Sequence, residues 1–255
     1  MQTDNLEIVA LSEDNIETEH ICCGFSDKKC AEGYQLKKEW LRHRFGEGFV
    51  FKKFDVRGKV FIEYVPAEYA WRPIQAPGYM CIQCFWVSGR YKGQGLGRRL
   101  LQECIADSQG KNGIAVVTSK RKKPYLTDKN FFVKHGFEVC DTAPPYFELL
   151  VKRFREAPTP RFRENARNGT CEHERGLVFT YTNQCPFTEF YVNEMAEVAN
   201  THGIPGQKIR MTTREEVQNG PSPFGVFGVF YEGEFLSHKV MSRNKFDKLL
   251  SKVVA

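Results

Sequence analysis

The sequence lacks any apolar run that approaches the roughly 20 residues a membrane-spanning helix needs. Its first thirty residues carry several acids and no long apolar stretch, so neither a secretory leader nor a membrane partner is expected. It has no internal repeat and no long low-complexity tract, which sets aside repeat arrays. Basic residues are plentiful, but no nucleic-acid-reading motif accompanies them, so a nucleic-acid partner is not expected. A paired cysteine framework is missing too. The nine cysteines are an odd number in a chain without an export signal. A disulfide scaffold is therefore not expected, and a reducing cytoplasm is the natural setting. Most of these thiols should be small buried hydrophobes.

What is present fits a soluble globular protein: 255 residues, 41% hydrophobic and 27% charged. That length suits one large domain or two small ones and can bury a core without covalent staples. The formal net charge is +6, and part of the excess is local, at Lys120-Arg-Lys-Lys123 and between Lys152 and Arg167. Such runs read either as solvated basic faces or as sites for an anionic ligand.

The clearest break lies between Arg155 and Arg175, in a stretch poor in aliphatics and rich in Pro, Asn, Gly and charge. It separates a domain of residues 1–155 from one of 173–255, with 156–172 as linker. Both halves read as mixed α and β. In the first, Ser12 caps a short helix over Glu13 to Glu19, and a longer helix runs from Ser26 to Phe45 with Cys30, Tyr34, Lys37, Leu41 and Phe45 on one side. Strands are expected at Phe49 to Phe54, Lys59 to Val65, Met80 to Val87, Ile114 to Thr118, Glu138 to Cys140 and Tyr146 to Val151. Helices are expected at Gln94 to Gln109 and at Thr127 to His135, the latter closed by Gly136. The second half alternates strand Leu177 to Thr182, helix Phe187 to His202, strand Lys208 to Met211, hairpin Val226 to Lys239 and helix Ser242 to Val253.

The strand over 80–87 leads through Ser88-Gly-Arg-Tyr-Lys-Gly-Gln-Gly-Leu-Gly97 into a helix. Glycines let a backbone approach a phosphate closely, and successive N–H groups at a helix N-terminus then face the anion. Arg90, Lys92, Arg98 and Arg99 add positive charge. A dinucleotide loop would have similar glycines, but this one lies mid-domain, and the next strand ends in Ser-Lys rather than an acidic ribose ligand.

Lys92-Gly-Gln-Gly95-Leu-Gly97 resembles the GNAT (Gcn5-related) N-acetyltransferase pattern Arg/Gln-x-x-Gly-x-Gly/Ala, with Lys in first place. Phe131-Phe-Val-Lys-His-Gly-Phe137 resembles that family's later motif, a helix ending in Gly-Phe. The resemblance covers roughly residues 6 to 153. It implies an α/β (α+β) acyl-CoA-binding fold with a mixed central sheet, acetyl-CoA as co-substrate, no metal, and an amine acceptor, here taken as a small molecule. It also implies that backbone groups of Phe85, Trp86 and Val87 grip the pantetheine arm. Amides of Lys92, Gly93, Gln94, Gly95, Leu96, Gly97 and Arg98 would hold the pyrophosphate. Phe85 and Trp86 are equally suited to plain core packing.

Attack by an amine on a thioester needs a neutral amine, donors for the oxyanion, and a proton for the leaving thiolate. Glu63, in the β-forming run Val60-Phe-Ile-Glu-Tyr-Val65, is the first candidate base; desolvation there would raise its pKa, while an exposed strand position is the alternative. Tyr64, Glu68 and His135 follow it. Many GNAT enzymes place a tyrosine four residues before the late glycine. That position here is Phe132, which has no proton to give, so either Tyr125 or Tyr146 substitutes as the acid or the thiolate departs without a dedicated one.

Among the cysteines, Cys22-Cys23 with His20 and Cys30 lacks a standard zinc spacing. Cys81-Ile-Gln-Cys84 on a regular strand would point its thiols to opposite faces. Cys185 differs, because it sits in Gln184-Cys-Pro-Phe-Thr188 directly before a helix, where a helix dipole lowers a thiol pKa. That segment resembles the active-site turn of thioredoxin-fold proteins, with Thr188 in place of the second cysteine and Pro223 placed like that fold's cis-proline. The whole arrangement resembles bacterial GNAT proteins with a YoaP-type C-terminal domain, read as a smaller thioredoxin-like α/β domain. The leading expectation is an acetyl-CoA-dependent N-acetyltransferase. The alternative is a thiol-redox or thiol-ligand-binding protein that uses Cys185, with the GNAT domain as an acyl-CoA sensor.

Overall fold

The computed structural model describes residues 6–21, 23–171 and 175–254. In chain order the elements are β1 (Ile8–Ala10), α1 (Ala31–Arg42), β2 (Val50–Phe54), β3 (Val60–Pro66), β4 (Ile74–Gln75), β5 (Met80–Val87), α2 (Leu96–Asp107), β6 (Gly113–Ser119), α3 (Lys129–Lys134), β7 (Glu138–Ala143), β8 (Phe147–Arg153) and β9 (Arg161–Phe162). They continue with α4 (Glu164–Asn168), β10 (Leu177–Tyr181), α5 (Thr188–Thr201), β11 (Gly206–Arg210), α6 (Arg214–Gln218), β12 (Phe227–Tyr231), β13 (Glu234–Ser237) and α7 (Arg243–Val253). No helix among the described residues is long and apolar enough to cross a membrane. The chain forms two compact units. One takes in Met1–Cys23, Leu41–Ala70 and Ile74–Phe162, the other Gly24–Trp40, Trp71–Pro73 and Arg163–Ala255.

The first unit is built on a seven-stranded mixed sheet in the order β1-β2-β3-β5-β6-β8-β7. Only the β5–β6 pair runs parallel; the others are antiparallel. Leu96, Leu100, Leu101 and Cys104 recur at helical spacing, which gives α2 one apolar face. That face packs on Phe54, Val60, Ile62, Tyr64, Met80 and Ile82. The far end of α2 is tied down by polar groups. Tyr64 donates its hydroxyl to Asp107 at 2.5 Å, and the Lys52 ammonium lies 2.9 Å from both Glu103 and Asp107. Burial, and then the bond to Asp107, push the Tyr64 phenol well above its ordinary range. In α3, Asp128 accepts from the Asn130 N–H at the start, and Gly136 closes the helix at φ 83°. The expected helix over 13–19 is a run of turns instead. There the Asn15 carboxamide accepts the Ser12 N–H, a local side-chain bond that competes with helix propagation.

The second unit holds a four-stranded sheet in the order β11-β10-β12-β13, with β10 and β11 parallel and the other pairs antiparallel. Phe179 on β10 meets Phe246 of α7, ring centroids 5.8 Å apart. Val178 and Phe230 face the other way, onto Cys171 with Ile209 and Phe235. Helix α6 begins with a capping box in which Thr213 and Glu216 satisfy each other's backbone N–H groups, the Thr-x-x-Glu signature of a helix start. Within the stretch expected as linker lie β9, α4 and a bridge between Thr170 and Glu234. The cis-proline expected at Pro223 is not found, since the only cis peptide bond among the described residues is Pro144–Pro145. The two isomers of a prolyl bond differ intrinsically by only about 0.5–1 kcal/mol, so sequence position alone does not choose between them.

Candidate active site

Two parallel strands that begin together and then separate define the site. β5 and β6 pair only over Met80–Ile82 and Ile114–Val116. Beyond that point Cys84 to Val87 pair with β3 alone, and Val117 to Ser119 with β8 alone. One edge of β5, including Phe85, Trp86 and Val87, thus faces the gap instead of a neighbouring strand. The break coincides with a β-bulge. Tyr64 opposes Ile82 while Glu63 opposes Cys84, so Gln83 is the extra residue.

The loop that leaves β5 at this end is open. Lys92, Gly93, Gln94 and Gly95 are all exposed. Gly93 and Gly95 adopt φ 76° and 78°, left-handed values that favour glycine, and a Cβ on either would meet nothing within 4 Å. Gly95 is the N-cap of α2 and supplies no side-chain cap. The N–H groups of Gly93 to Arg98 have no acceptor within the chain among the described residues. Six consecutive donors at a helix N-terminus, with Lys92 and Arg98 exposed beside them, suit an anion such as a diphosphate. Gly97 has a different use. A Cβ there would lie 3.2 Å from both Phe85 and Phe131, so this glycine lets α2 approach the aromatic cluster. Arg99 turns away from the loop, donating to the Leu6 carbonyl at 2.8 Å and stacking on Phe54.

The structure separates the chemical candidates. Glu63 is completely buried, in register between Phe51 on β2 and Cys84 on β5. Its face of the sheet is the one that α2 does not cover, because Ile62 and Tyr64 point to α2. Tyr64 is thereby committed to Asp107, on the side opposite Glu63. Glu68 accepts the Gly78 N–H at 2.6 Å, and His135 bonds the Phe131 carbonyl at 2.7 Å at the end of α3. Phe132 is fully buried among Phe85, Phe131 and Phe137. Phe85 contributes its ring to this cluster, so its side chain packs while its backbone lines the gap. Trp86 is 39% exposed, with the Lys59 ammonium 5.8 Å from its ring.

Tyr125 lies in the loop that leaves β6 at the separated end, which Thr127 fastens by donating to the Val117 carbonyl at 3.3 Å. Its φ of 66° is uncommon for an aromatic residue and costs on the order of 1 kcal/mol or more. Tyr146, the other candidate acid, sits under Lys123, 4.3 Å from ammonium to ring centre. The bulge also revises the expectation for Cys81 and Cys84. Cys81 opposes Val65 and Cys84 opposes Glu63, so both thiols point to one face. No group of three metal-ligating side chains occurs among the described residues, and Cys22 lies outside them.

Cys185 stands far from these groups in sequence, half-buried at the entry to α5. The Thr188 hydroxyl lies within hydrogen-bond distance of the carbonyls of Thr182 (2.8 Å) and Cys185 (2.7 Å). Gln184 is buried and accepts from Arg72 at 2.9 Å. Pro186 is pressed against Gly33 of α1, where a Cβ would come within 2.2 Å of its carbonyl oxygen.

A family model described as an acetyltransferase (GNAT) domain matches residues 55–139, and one described as YoaP-like matches residues 205–248. Over 246 residues the chain is 43% identical to YoaP of Bacillus subtilis (strain 168), called an uncharacterised N-acetyltransferase; the match takes in 95% of this chain and 98% of that one. Among solved structures it is similar to the PaiA N-acetyltransferase of Thermoplasma acidophilum in complex with coenzyme A, at 18% identity and a TM-score of 0.43, covering 59% of this chain and 99% of that one. It is also similar to a GNAT family acetyltransferase of Brucella melitensis in complex with acetyl-CoA, at 16% identity and a TM-score of 0.38, covering 61% and 92%.

Proposed function

Because this chain belongs to the GNAT family of acetyltransferases, with a YoaP-like C-terminal part, and is therefore an acyltransferase, we propose that it transfers an acetyl group from acetyl-CoA to a small-molecule amine. The observation that carries this reading is the open loop: six free N–H groups from Gly93 to Arg98, beside a β5 edge that β6 has left. The N–H groups hold the diphosphate, with Lys92 and Arg98 adding charge, and the backbone of Phe85 to Val87 orients the thioester arm along the gap. Acetyl-CoA supplies a thioester carbonyl activated for attack.

The chain's own groups then manage protons. Glu63, completely buried and in register with Cys84 on β5, takes the proton of the incoming amine, directly or through a water. The amine nitrogen forms a bond to the acetyl carbon as the carbon–sulfur bond breaks. Tyr125 donates to the leaving sulfur, in place of the tyrosine that Phe132 replaces. The strained backbone at Tyr125 supports the assignment, since such strain is held where position matters. In this reading residues 1–155 form the transferase domain, with Gly24–Trp40 and Trp71–Pro73 grouping with the other unit. Residues 173–255 form a thioredoxin-like domain, supported by the β10-α5-β11-α6-β12-β13-α7 order and the β11-β10-β12-β13 sheet. Cys185 takes no part in the transfer step.

Calorimetric titration with acetyl-CoA, followed by thioester cleavage against a panel of amines, tests the proposal. Saturable binding and amine-dependent cleavage are expected. Glu63→Gln should lower kcat by about 10²–10⁴-fold and Tyr125→Phe by a smaller factor, with acetyl-CoA affinity unchanged. A wild-type protein that binds no acetyl-CoA ends the proposal; an unchanged kcat in Glu63→Gln ends the role of that residue.

A further inference from the structure

The second unit holds a cavity of about 990 Å³ that the transfer reaction does not use. It lies on the face of β10 and β11 opposite Phe179. Its floor is Cys171, Thr180, Ile209 and Met211, and its walls are α4, the end of α6 and the β12–β13 turn. The walls are fastened to one another. Asn165 of α4 donates to the Gly220 carbonyl at 2.5 Å, and the Cys171 N–H donates to the Gly233 carbonyl at 2.8 Å. A cavity braced in this way is formed before any ligand arrives, so little ordering is left for binding to do.

Two polar groups stand on the floor. The Cys171 thiol is 9% exposed, and no hydrogen-bond partner for it occurs among the described residues. The Thr180 hydroxyl, 3% exposed, reaches only the Gly228 carbonyl at 3.5 Å, the outer limit of a hydrogen bond. Both line the cavity beside Ile209 and Met211. The rim states its charge. Glu216, Glu232 and Glu234 stand on it, and among the described residues no Lys, Arg or His lines the cavity, in a chain whose net charge is +6. The N–H groups of Thr213 and Thr212 hold the Glu216 carboxyl below the ordinary range, so it is ionised at neutral pH.

We propose that this cavity is a binding site for an organic amine, with the ammonium at the rim carboxylates and the apolar body over Ile209 and Met211. Its volume is of the size that takes a small organic ligand, about 300–1,000 Å³. An anion of the same shape would meet three carboxylates, and a neutral molecule would leave the rim without a counter-charge.

Cys171 reports on occupancy. In the full-length protein its alkylation by iodoacetamide is followed by peptide mass mapping, with Cys140 of the first unit as internal control. Hexylamine should slow alkylation of Cys171 by at least about fivefold at saturation and leave Cys140 unchanged; 1-hexanol and hexanoate should do neither. Glu234→Lys, at an exposed rim position, should raise the hexylamine concentration needed by about tenfold. Should that variant fold poorly by circular dichroism, Glu234→Gln carries the same test with a shift of about two- to threefold. No protection by hexylamine, equal protection by hexanoate, or protection undiminished by the rim substitution would overturn the proposal. None of these readouts involves acetyl-CoA, so their failure leaves the transferase reading standing.

Discussion

Two strand-to-helix turns, Ser88–Leu96 before α2 and Thr182–Thr188 before α5, solve the same problem in opposite ways. Each must deal with N–H groups that a helix cannot satisfy from within. Before α2, left-handed glycines carry no side chain, nothing fills the space their Cβ atoms would take, and six donors are bare. Before α5, the chain closes the turn itself. The Thr188 N–H donates to the Cys185 carbonyl, the Thr188 hydroxyl packs onto two carbonyls, Arg72 holds Gln184, and Pro186 is wedged against Gly33. An open helix terminus is a place for a ligand, while a filled one is a joint. Glycines mark the first turn and Gln184-Cys-Pro-Phe-Thr188 the second, and what packs around each sets its use.

The contrast can be broken most severely with one substitution at each turn. Gly95→Trp forces a bulky residue into a left-handed backbone in front of the bare donors, and should abolish acetyl-CoA binding in a calorimetric titration while the fold persists. Gly33→Ala should do the reverse. Its new Cβ meets the Pro186 carbonyl at 2.2 Å, so stability should fall by about 1–3 kcal/mol in denaturant unfolding, with acetyl-CoA affinity unchanged. If Gly95→Trp still bound acetyl-CoA normally, the open turn would not be the ligand's seat. Thr188→Val is a finer test of the filled turn. It removes a hydroxyl that contacts two buried carbonyls and should cost about 1–2 kcal/mol of stability, again without effect on the other turn. The smallest change is Lys92→Gln. An exposed charge beside the donors should contribute only a two- to threefold gain in acetyl-CoA affinity, about 0.5 kcal/mol, and this gain should vanish as salt is raised. A much larger loss would mean that Lys92, and not the backbone, does most of the binding.

Much of the first turn was legible in advance. A glycine spaced two residues from another, entering a helix with Leu96, Leu100, Leu101 and Cys104 on one face, is a local pattern. The left-handed angles at Gly93 and Gly95 follow from that local need. Glu63 was legible as a carboxylate in a β-forming run, but not its depth, which depends on Phe51 and Cys84 being its neighbours on other strands. The same bulge that sets this register turned Cys81 and Cys84 to one face. A bulge is decided by pairing between strands, and neither strand states it alone. The cavity floored by Cys171 and Thr180 was not legible at all, because its lining comes from segments between Asn165 and Glu234 whose meeting is tertiary.

The sequence by itself determined the apolar face of α2, the glycine loop and the Gly136 stop, because each depends on residues within one or two turns of one another. Tertiary structure decided where β5 and β6 separate, which face Glu63 takes, that Gly24–Trp40 groups with the C-terminal unit, and which helix terminus stays open. Those outcomes depend on contacts between residues far apart in the chain. Local preferences of a few tenths of a kcal/mol per residue yield there to the burial of whole side chains, each worth about 1.5–3 kcal/mol.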